Sequence, residues 1–183
     1  MAAFRKTPLN VILIGFMGCG KTTIGARLAS LLGFEFLDTD SRIVARAGKE
    51  IAKIFADEGE ECFRQLETSV LRDLQGQGHR VVSTGGGIVT RTENHGLLRE
   101  LGLVVHLTTS DACLWQRVRR NRDRPMLHTP NPRETFDALL AERRPIYEAL
   151  ADLVVDTRDL TPEEAAYGLS ESVRVHFCRQ AEA

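Results

Sequence analysis

A glycine-rich segment near the N-terminus constrains this chain more than any other feature. Residues 15–22 read Gly-Phe-Met-Gly-Cys-Gly-Lys-Thr and match the pattern G-x-x-x-x-G-K-[ST] in full. The apolar stretch Leu9–Ile14 precedes this phosphate loop, and the amphipathic pattern Lys21–Leu32 follows it. In such a setting, backbone N–H groups and the positive end of the helix dipole surround phosphates. The segment therefore predicts a nucleoside triphosphate site between a buried strand and a helix.

The loop also predicts individual contacts. Lys21 is expected to neutralise the β- and γ-phosphates with a charge exposed in the loop, and the Thr22 hydroxyl is expected to ligate Mg²⁺. Cys19 is expected to be a small spacer. The predicted ATP-binding residues of the loop are Gly18, Cys19, Gly20, Lys21, Thr22 and Thr23.

Short apolar runs alternate with helical patterns along the chain, which predicts an α/β protein with a parallel sheet covered on both faces. The predicted strands are Leu9–Ile14, Phe34–Leu37, Arg80–Ser83, Leu103–Leu107 and Leu153–Asp156. The predicted helices are Lys21–Leu32, Ser41–Ala47, Gly59–Leu74, Thr92–Leu101, Asp111–Arg120, Arg133–Tyr147 and Thr161–Phe177, with N-caps at Asp111 and Thr161. We expect one domain over residues 1–183, with ligands at the carboxyl ends of the strands. Asn121–Pro132 fits neither pattern and is predicted to be a mobile surface loop.

The composition argues against several classes of function. The 183 residues include 24 Lys or Arg and 25 Asp or Glu, a net charge of −1, whereas a nucleic-acid or membrane-surface binder would carry a basic excess. No apolar run approaches the ~20 residues that span a bilayer. Residues 1–8 lack the apolar core of a signal peptide, so we expect a cytoplasmic protein. The four cysteines contain no C-x-x-C pair, which predicts reduced thiols.

Two further groups of residues follow predicted strands. Asp38 and Asp40 are expected to face the same crevice, because residues i and i+2 of an extended segment point to one side. Two carboxylates there suit Mg²⁺ and a hydroxyl acceptor, although Asp40 could instead cap the next helix. No Asp follows the third strand, which makes Asp38 the better metal candidate. Gly85–Gly87 either allow a small ligand to approach the backbone or form a plain turn.

Together these motifs resemble those of the shikimate kinase family. The similar segments are the phosphate loop with Ile24-Gly25, then Phe36–Asp40, Phe63-Arg64, Gly85–Gly87, Arg124-Pro125 and Arg143–Tyr147, in the family's order between about Leu9 and Asp156. The resemblance implies a nucleoside-monophosphate-kinase-like fold with five parallel strands in the order 2-3-1-4-5. It also implies phosphorylation of the 3-hydroxyl of shikimate by ATP with Mg²⁺, a step of aromatic amino-acid biosynthesis. The expected partners are shikimate and ATP, without nucleic acid or membrane, and the expected state is a monomer.

The resemblance further implies roles for single residues. Asp40 contacts the shikimate hydroxyls, while Arg64 and Arg143 hold its carboxylate. Arg124 lies in a lid, about residues 121–132, that closes over ATP, and Arg117 lies along the adenine. The predicted catalytic residues are Lys21, Asp40 and Arg124; the predicted substrate-binding residues are Asp40, Arg64, Gly85, Gly86, Gly87 and Arg143; the predicted metal ligands are Thr22 and Asp38.

Some alternatives stay open at this point. Arg64 and Glu67 are spaced i, i+3 on a helix and could simply pair with each other, or Glu67 could aim Arg64. The adenine contacts around Arg158–Pro162 do not align with the family. Gluconate or nucleoside-monophosphate kinases share the phosphate loop and an arginine-bearing lid. A GTP-binding switch shares only the loop, and no Asn-Lys-x-Asp guanine motif follows. The arginines from 117 to 124 could form a nucleic-acid patch.

Overall fold

Strands and helices alternate along the chain in the computed structural model, which describes residues 9–120, 125–127 and 129–182. The strands are β1 (Asn10–Ile14), β2 (Glu35–Asp38), β3 (Arg80–Ser83), β4 (Leu103–Thr108) and β5 (Leu153–Asp156). The helices are α1 (Lys21–Leu32), α2 (Thr39–Ala47), α3 (Ile51–Asp73), α4 (Glu93–Leu101), α5 (Asp111–Val118), α6 (Pro132–Leu150) and α7 (Pro162–Glu182). Two short 3₁₀ helices span Ile88–Thr90 and Pro125–Leu127.

The five strands form one parallel sheet in the order β2-β3-β1-β4-β5. The central strand, β1, pairs Ile12 with Val82 of β3 on one side and with Val104 of β4 on the other. All five residues of β1 are buried, as expected for a parallel strand with helices packed against its sheet. The predicted α/β class and strand order are confirmed.

Most predicted boundaries agree with the structure to within a few residues, but the sequence misses one helical segment and misplaces one N-cap. α3 consists of two helical segments that meet at a kink at Gly59, whose φ of 82° and ψ of 173° are not helical; the segment after Gly59 is the predicted helix, and the segment from Ile51 is not predicted. The N-cap of α5 is Ser110, whose hydroxyl accepts a hydrogen bond from the Cys113 N–H at 3.3 Å, and Asp111 is the first helical residue. An N-cap has extended backbone geometry, which Ser110 adopts.

The predicted cap of α7 is confirmed. The Glu164 N–H donates to the Thr161 hydroxyl at 3.2 Å, and the Glu164 carboxylate accepts from the Thr161 N–H at 2.8 Å. This reciprocal pair is a capping box. It fixes the turn after β5, which borders the site described below.

Two apolar clusters hold the fold together. The larger cluster surrounds the central strands, and a smaller one, formed by Ile43, Ile54, Phe63 and Val70, packs α2 against α3. The smaller cluster holds α2 and the start of α3 as a wall beside the carboxyl edge of the sheet. Within the residues that the structure describes, no helix is both long enough and apolar enough to cross a membrane.

Candidate active site

The phosphate loop joins β1 to α1 at the carboxyl edge of the sheet. Gly20 is the N-cap of α1 and Lys21 is the first helical residue. The Lys21 ammonium donates hydrogen bonds to the carbonyl oxygens of Gly15 at 2.7 Å and Phe16 at 3.0 Å. Lys21 is only 8% exposed, so the expectation of an exposed charge is wrong. The reason is that the loop curls around the ammonium and offers it two carbonyl acceptors.

A cavity of about 500 Å³, here called the outer cavity, opens beside this loop. All six loop residues predicted to bind ATP line it, from Gly18 to Thr23. Arg117 lines it too, and donates to the Gly18 carbonyl at 3.1 Å. The sequence made no prediction for the segment around Arg158–Pro162. Its residues Leu160 and Pro162, with the preceding Thr157, form part of the wall of this cavity. The structure therefore brings the loop, Arg117 and the turn after β5 together around one space.

Thr22 and Asp38 meet in the outer cavity. The Thr22 hydroxyl donates to Asp38 Oδ2 at 3.0 Å and lies 3.3 Å from the Ser83 hydroxyl. Asp38 Oδ1 caps α2 by accepting from the N–H groups of Asp40 at 3.0 Å and Ser41 at 3.2 Å. The sequence allowed Asp40 to cap this helix, but the N-cap of α2 is Asp38. Asp40 lies in the first turn of α2 rather than in the strand, yet both carboxylates line the crevice as predicted.

These oxygens fit a magnesium ion. Mg²⁺ is usually held by one or two protein oxygens while substrate phosphates and waters complete its coordination. A hydroxyl and a carboxylate next to a phosphate loop are such a set. The described part of the chain contains no group of three or more His, Cys, Asp or Glu side chains that could hold a metal by itself. Ser83, which the sequence analysis missed, orients the Thr22 hydroxyl.

A second space of about 510 Å³, the inner cavity, adjoins the first, and Met17, Asp40 and Gly86 line both. The predicted residues Arg64, Gly85, Gly87 and Arg143 line the inner cavity only. Its other lining residues are Glu50, Ile51, Ala52, Phe55, Phe63, Glu67 and Met126. The sequence predicts no cavity role for the apolar members of this set, because Ile51, Ala52 and Phe55 precede the predicted helix from Gly59 and Met126 lies in the predicted loop.

Arg64 and Glu67 form a buried ion pair in the wall of the inner cavity. Arg64 Nη1 donates to Glu67 Oε2 at 2.7 Å, and Glu60 Oε1 accepts from Arg64 Nη2 at 2.8 Å. Burial raises the pKa of Glu67 to about 7, although the Arg64 charge acts in the opposite direction. The pairing of Arg64 with Glu67 that the sequence allows is therefore confirmed, and Arg64 also lines the cavity. That Glu67 aims Arg64 at a ligand stays a prediction.

The glycines after β3 leave room for these side chains. A Cβ on Gly87 would collide with the Arg64 guanidinium. A Cβ on Gly85 would stand 2.6 Å from Glu67 Oε1 and 2.7 Å from Asp40 Oδ1. Such distances are too short for a real Cβ atom, so a side chain at either position would displace these charged groups. The glycines thus bring the protein's own charged groups against the backbone, and the predicted approach of a small ligand stays a prediction.

Arg143 enters the inner cavity from α6. Its side chain is buried, and its Nε has no hydrogen-bond partner among the described residues. Buried donors normally have partners, so an unused guanidinium N–H indicates a place for an acceptor from a ligand. Arg124, the predicted lid residue, lies outside the described residues. Of the predicted lid, Pro125–Leu127 forms a short 3₁₀ helix, and α6 already begins at Pro132.

Comparison with known proteins identifies the family. The family model described as shikimate kinase matches residues 17–174 of this chain. The chain belongs to the shikimate kinase family. Shikimate kinases from Halorhodospira halophila and Geobacter sulfurreducens are each 46% identical to it, over 85% and 91% of this chain and 88% and 92% of their own lengths. A solved structure of shikimate kinase from Acinetobacter baumannii in complex with shikimate is 38% identical, with a TM-score of 0.88 over 93% of this chain and 96% of that one.

Membership of the shikimate kinase family confirms the resemblance found in the motifs. The protein is a kinase, and its parallel sheet is that of phosphate-loop kinases. A GTP-binding switch protein, the alternative from another class, is therefore set aside. The roles of individual residues do not follow from membership and stay predictions.

Proposed function

We propose that this chain transfers the γ-phosphoryl group of ATP to the 3-hydroxyl of shikimate. The observation that carries the proposal is the pair of adjoining cavities, one built on the phosphate loop and the other on two buried arginines. Shikimate has a carboxylate, which guanidinium groups bind strongly, and hydroxyls, which suit a carboxylate such as Asp40. A solved relative that holds shikimate supports the same acceptor.

In this proposal the outer cavity takes ATP. The triphosphate lies along the loop, and Lys21 exchanges the two loop carbonyls for phosphate oxygens. Arg117 lies along the adenine, opposite the turn that contains Leu160 and Pro162, and Arg124 approaches the phosphates from the lid. Phosphoryl transfer is catalysed mainly by positioning and by charges that stabilise the transition state, so these cations supply most of the rate enhancement.

Thr22 and Asp38 would hold the magnesium ion in this cavity. Their oxygens are already within hydrogen-bond distance of each other, and Ser83 keeps the hydroxyl in place. A bound Mg²⁺ neutralises phosphate charge in reactions of this type. Through these contacts Asp38 at the start of α2, Thr22 at the end of the phosphate loop and Ser83 at the end of β3 lie next to one another.

The inner cavity takes the acceptor. Arg64, aimed by Glu67, and Arg143, with its free Nε, hold the carboxylate. Asp40 lines both cavities, so it can orient the 3-hydroxyl toward the γ-phosphate or accept its proton. The Gly86 backbone lies at the same boundary. Apolar side chains such as Phe55 and Phe63 exclude water from the carbon ring that bears the hydroxyls.

We propose in addition that the chain acts as a single-domain monomer in the cytoplasm, without nucleic-acid or membrane partners. Every role assigned above to ATP, Mg²⁺ and the acceptor is filled by a residue of this chain, which supports a monomer.

The experiment that tests the function is ATP turnover measured in parallel with shikimate, gluconate and nucleoside monophosphates. Among these acceptors we expect turnover only with shikimate, and we expect the protein to prefer ATP to GTP as the phosphoryl donor. A Lys21→Met protein prepared in the same way controls for contaminating kinases. Turnover with gluconate or a nucleotide but not with shikimate would contradict the proposal.

A further inference from the structure

Tyr147 links the helix that carries Arg143 to the glycine segment of the site. It lies one turn after Arg143 on α6, and it is only 1% exposed. Its hydroxyl donates a hydrogen bond to the carbonyl oxygen of Gly86, the glycine that lines both cavities. Tyr147 itself lines neither cavity.

The surroundings of Tyr147 fix the position of its ring and keep its hydroxyl protonated. The ring stacks on that of His106, with centroids 5.2 Å apart and an interplanar angle of 29°. Burial raises the pKa of Tyr147 well above its usual value, although the nearby Arg143 charge opposes the shift. The hydroxyl therefore stays protonated across the physiological range, and its single proton is committed to Gly86.

The glycine segment needs such a support. Three consecutive glycines have more conformational freedom than any other tripeptide, and they offer no side chains to pack. The Gly85 N–H donates to the Thr39 hydroxyl at 3.1 Å, which ties the segment to α2. The bond from Tyr147 ties the next residue to α6, the helix of Arg143. Gly86 also lies against the phosphate loop, since a Cβ there would lie 3.3 Å from the Met17 nitrogen.

We propose that Tyr147 is a positioning residue for the acceptor, whose hydroxyl holds Gly86 and Arg143 at a set separation across the inner cavity. This inference rests on the proposed function, because it concerns the same acceptor site. The carboxylate of the acceptor contacts Arg143, and its reacting hydroxyl lies near Gly86 and Asp40. Loss of the bond would let one side of the cavity move against the other.

The variant that tests this is Tyr147→Phe, which removes the hydroxyl and keeps the ring on His106. It leaves the Gly86 carbonyl buried without its donor, a change that typically costs a factor of roughly 5 to 150 in an equilibrium constant. We expect the KM for shikimate to rise within that range, and the KM for ATP to change less than about twofold. Tyr167→Phe is the matched control, because the chain's other tyrosine is 64% exposed on α7.

Two further measurements separate positioning from mere stability. A variant with 4-aminophenylalanine at position 147 retains a donor to Gly86 and should bring the KM for shikimate back toward the wild-type value. If Tyr147→Phe does not fold, this variant is compared directly with wild type. Its amino group is a weaker donor than a phenol, so the KM for shikimate should rise more than the KM for ATP, and equal changes in the two values would contradict the proposal.

Several outcomes would overturn it. A lowered melting temperature with both KM values unchanged would make the hydroxyl a structural group only, as would a failure of both variants to fold. An equal rise in both KM values, or no rescue by the amino group, would also contradict it. A wild-type protein that does not phosphorylate shikimate would instead refute the proposed function, so the two failures are distinguishable.

Discussion

Lys21 is the residue whose charge the proposed reaction requires most directly. We expect Lys21→Met to lower kcat for phosphoryl transfer by about 100- to 1000-fold, because preorganised charge at the phosphates is lost. Methionine keeps the length of the buried side chain, so the melting temperature should change by only a few degrees. Lys53→Met, at an exposed position on α3, is the control. Full turnover by the Lys21 variant would refute the phosphate-loop assignment.

Arg64 and Arg143 provide a second test at the residue scale. Lysine keeps the charge at each position but loses the planar, bidentate donor pair. We expect Arg64→Lys and Arg143→Lys each to raise the KM for shikimate by roughly 10- to 150-fold, the cost of a charged hydrogen bond, with the KM for ATP nearly unchanged. Steady-state kinetics with each substrate varied, alongside a thermal melt, measures both effects.

The control for these variants is Arg72→Lys, since Arg72 forms an exposed ion pair with Glu93 at 3.0 Å. It should change neither KM. If the Arg64 and Arg143 variants melted at lower temperature but bound shikimate normally, both arginines would belong to the scaffold and not to the acceptor site.

Single residues also show where sequence reasoning about the site succeeds and fails. The phosphate loop could be predicted in full because its function depends on residues adjacent in sequence. Asp38 and Asp40 could be predicted to meet in one crevice, but not that Asp38 would be the one to cap α2, since this depends on where the helix begins. Ser83 and Tyr147 act through partners 61 residues away in sequence, and no local pattern marks such contacts.

Gly59 matters at the scale of the element, because it divides α3 into two parts. The part before it carries Ile51 and Phe55, the part after it carries Arg64 and Glu67, and all four line the inner cavity. At φ 82° and ψ 173° a side chain is strained even though a Cβ would meet no atom within 4 Å. We expect Gly59→Ala to lower the free energy of unfolding by about 1–3 kcal/mol.

A matched glycine gives the opposite sign. Gly168 lies inside α7, where a Cβ also meets nothing within 4 Å. Gly168→Ala should raise the free energy of unfolding by about 0.5–1 kcal/mol, because alanine favours the helix. Urea denaturation of both variants measures the contrast. Equal effects at the two positions would mean that the bend at Gly59 carries no backbone strain.

Elements were predicted well where their patterns are uninterrupted, as in α1 and β3. The first part of α3 could not be predicted, because Gly59 interrupts the helical pattern and the sequence after it reads as a helix of its own. The order of the strands came from the family resemblance, since the sequence of a strand does not reveal which strand lies beside it. The wall of the inner cavity could not be predicted for the same reason: it is formed by packing between α2 and α3.

At the scale of the whole molecule, His106 couples stability to pH. Burial, together with the charges of Lys21 and Arg144, lowers its pKa from 6.5 to about 4. Between these values the unfolded chain binds a proton that the folded chain does not, so stability falls as pH falls from about 6.5 to 4. The loss is at most about 1.4 kcal/mol for each pH unit. Glu67, with its raised pKa, acts in the opposite sense from about pH 4.5 to 7.

Comparison with His106→Gln isolates the histidine contribution from that of Glu67. The free energy of unfolding of each protein is measured by urea denaturation from pH 4.5 to 7. The wild-type value should fall relative to that of the variant as the pH decreases below about 6.5. Parallel curves would contradict the lowered pKa of His106.

The central claim, that two cavities of one chain bring ATP and shikimate together at the 3-hydroxyl, is tested most directly by the product. The purified protein is incubated with ATP, Mg²⁺ and shikimate, and the product is analysed by ³¹P and ¹H NMR. The account predicts a single phosphate ester whose phosphorus couples to the proton on carbon 3, formed in equal amount to ADP. An ester at another hydroxyl, or ADP without any ester, would contradict it.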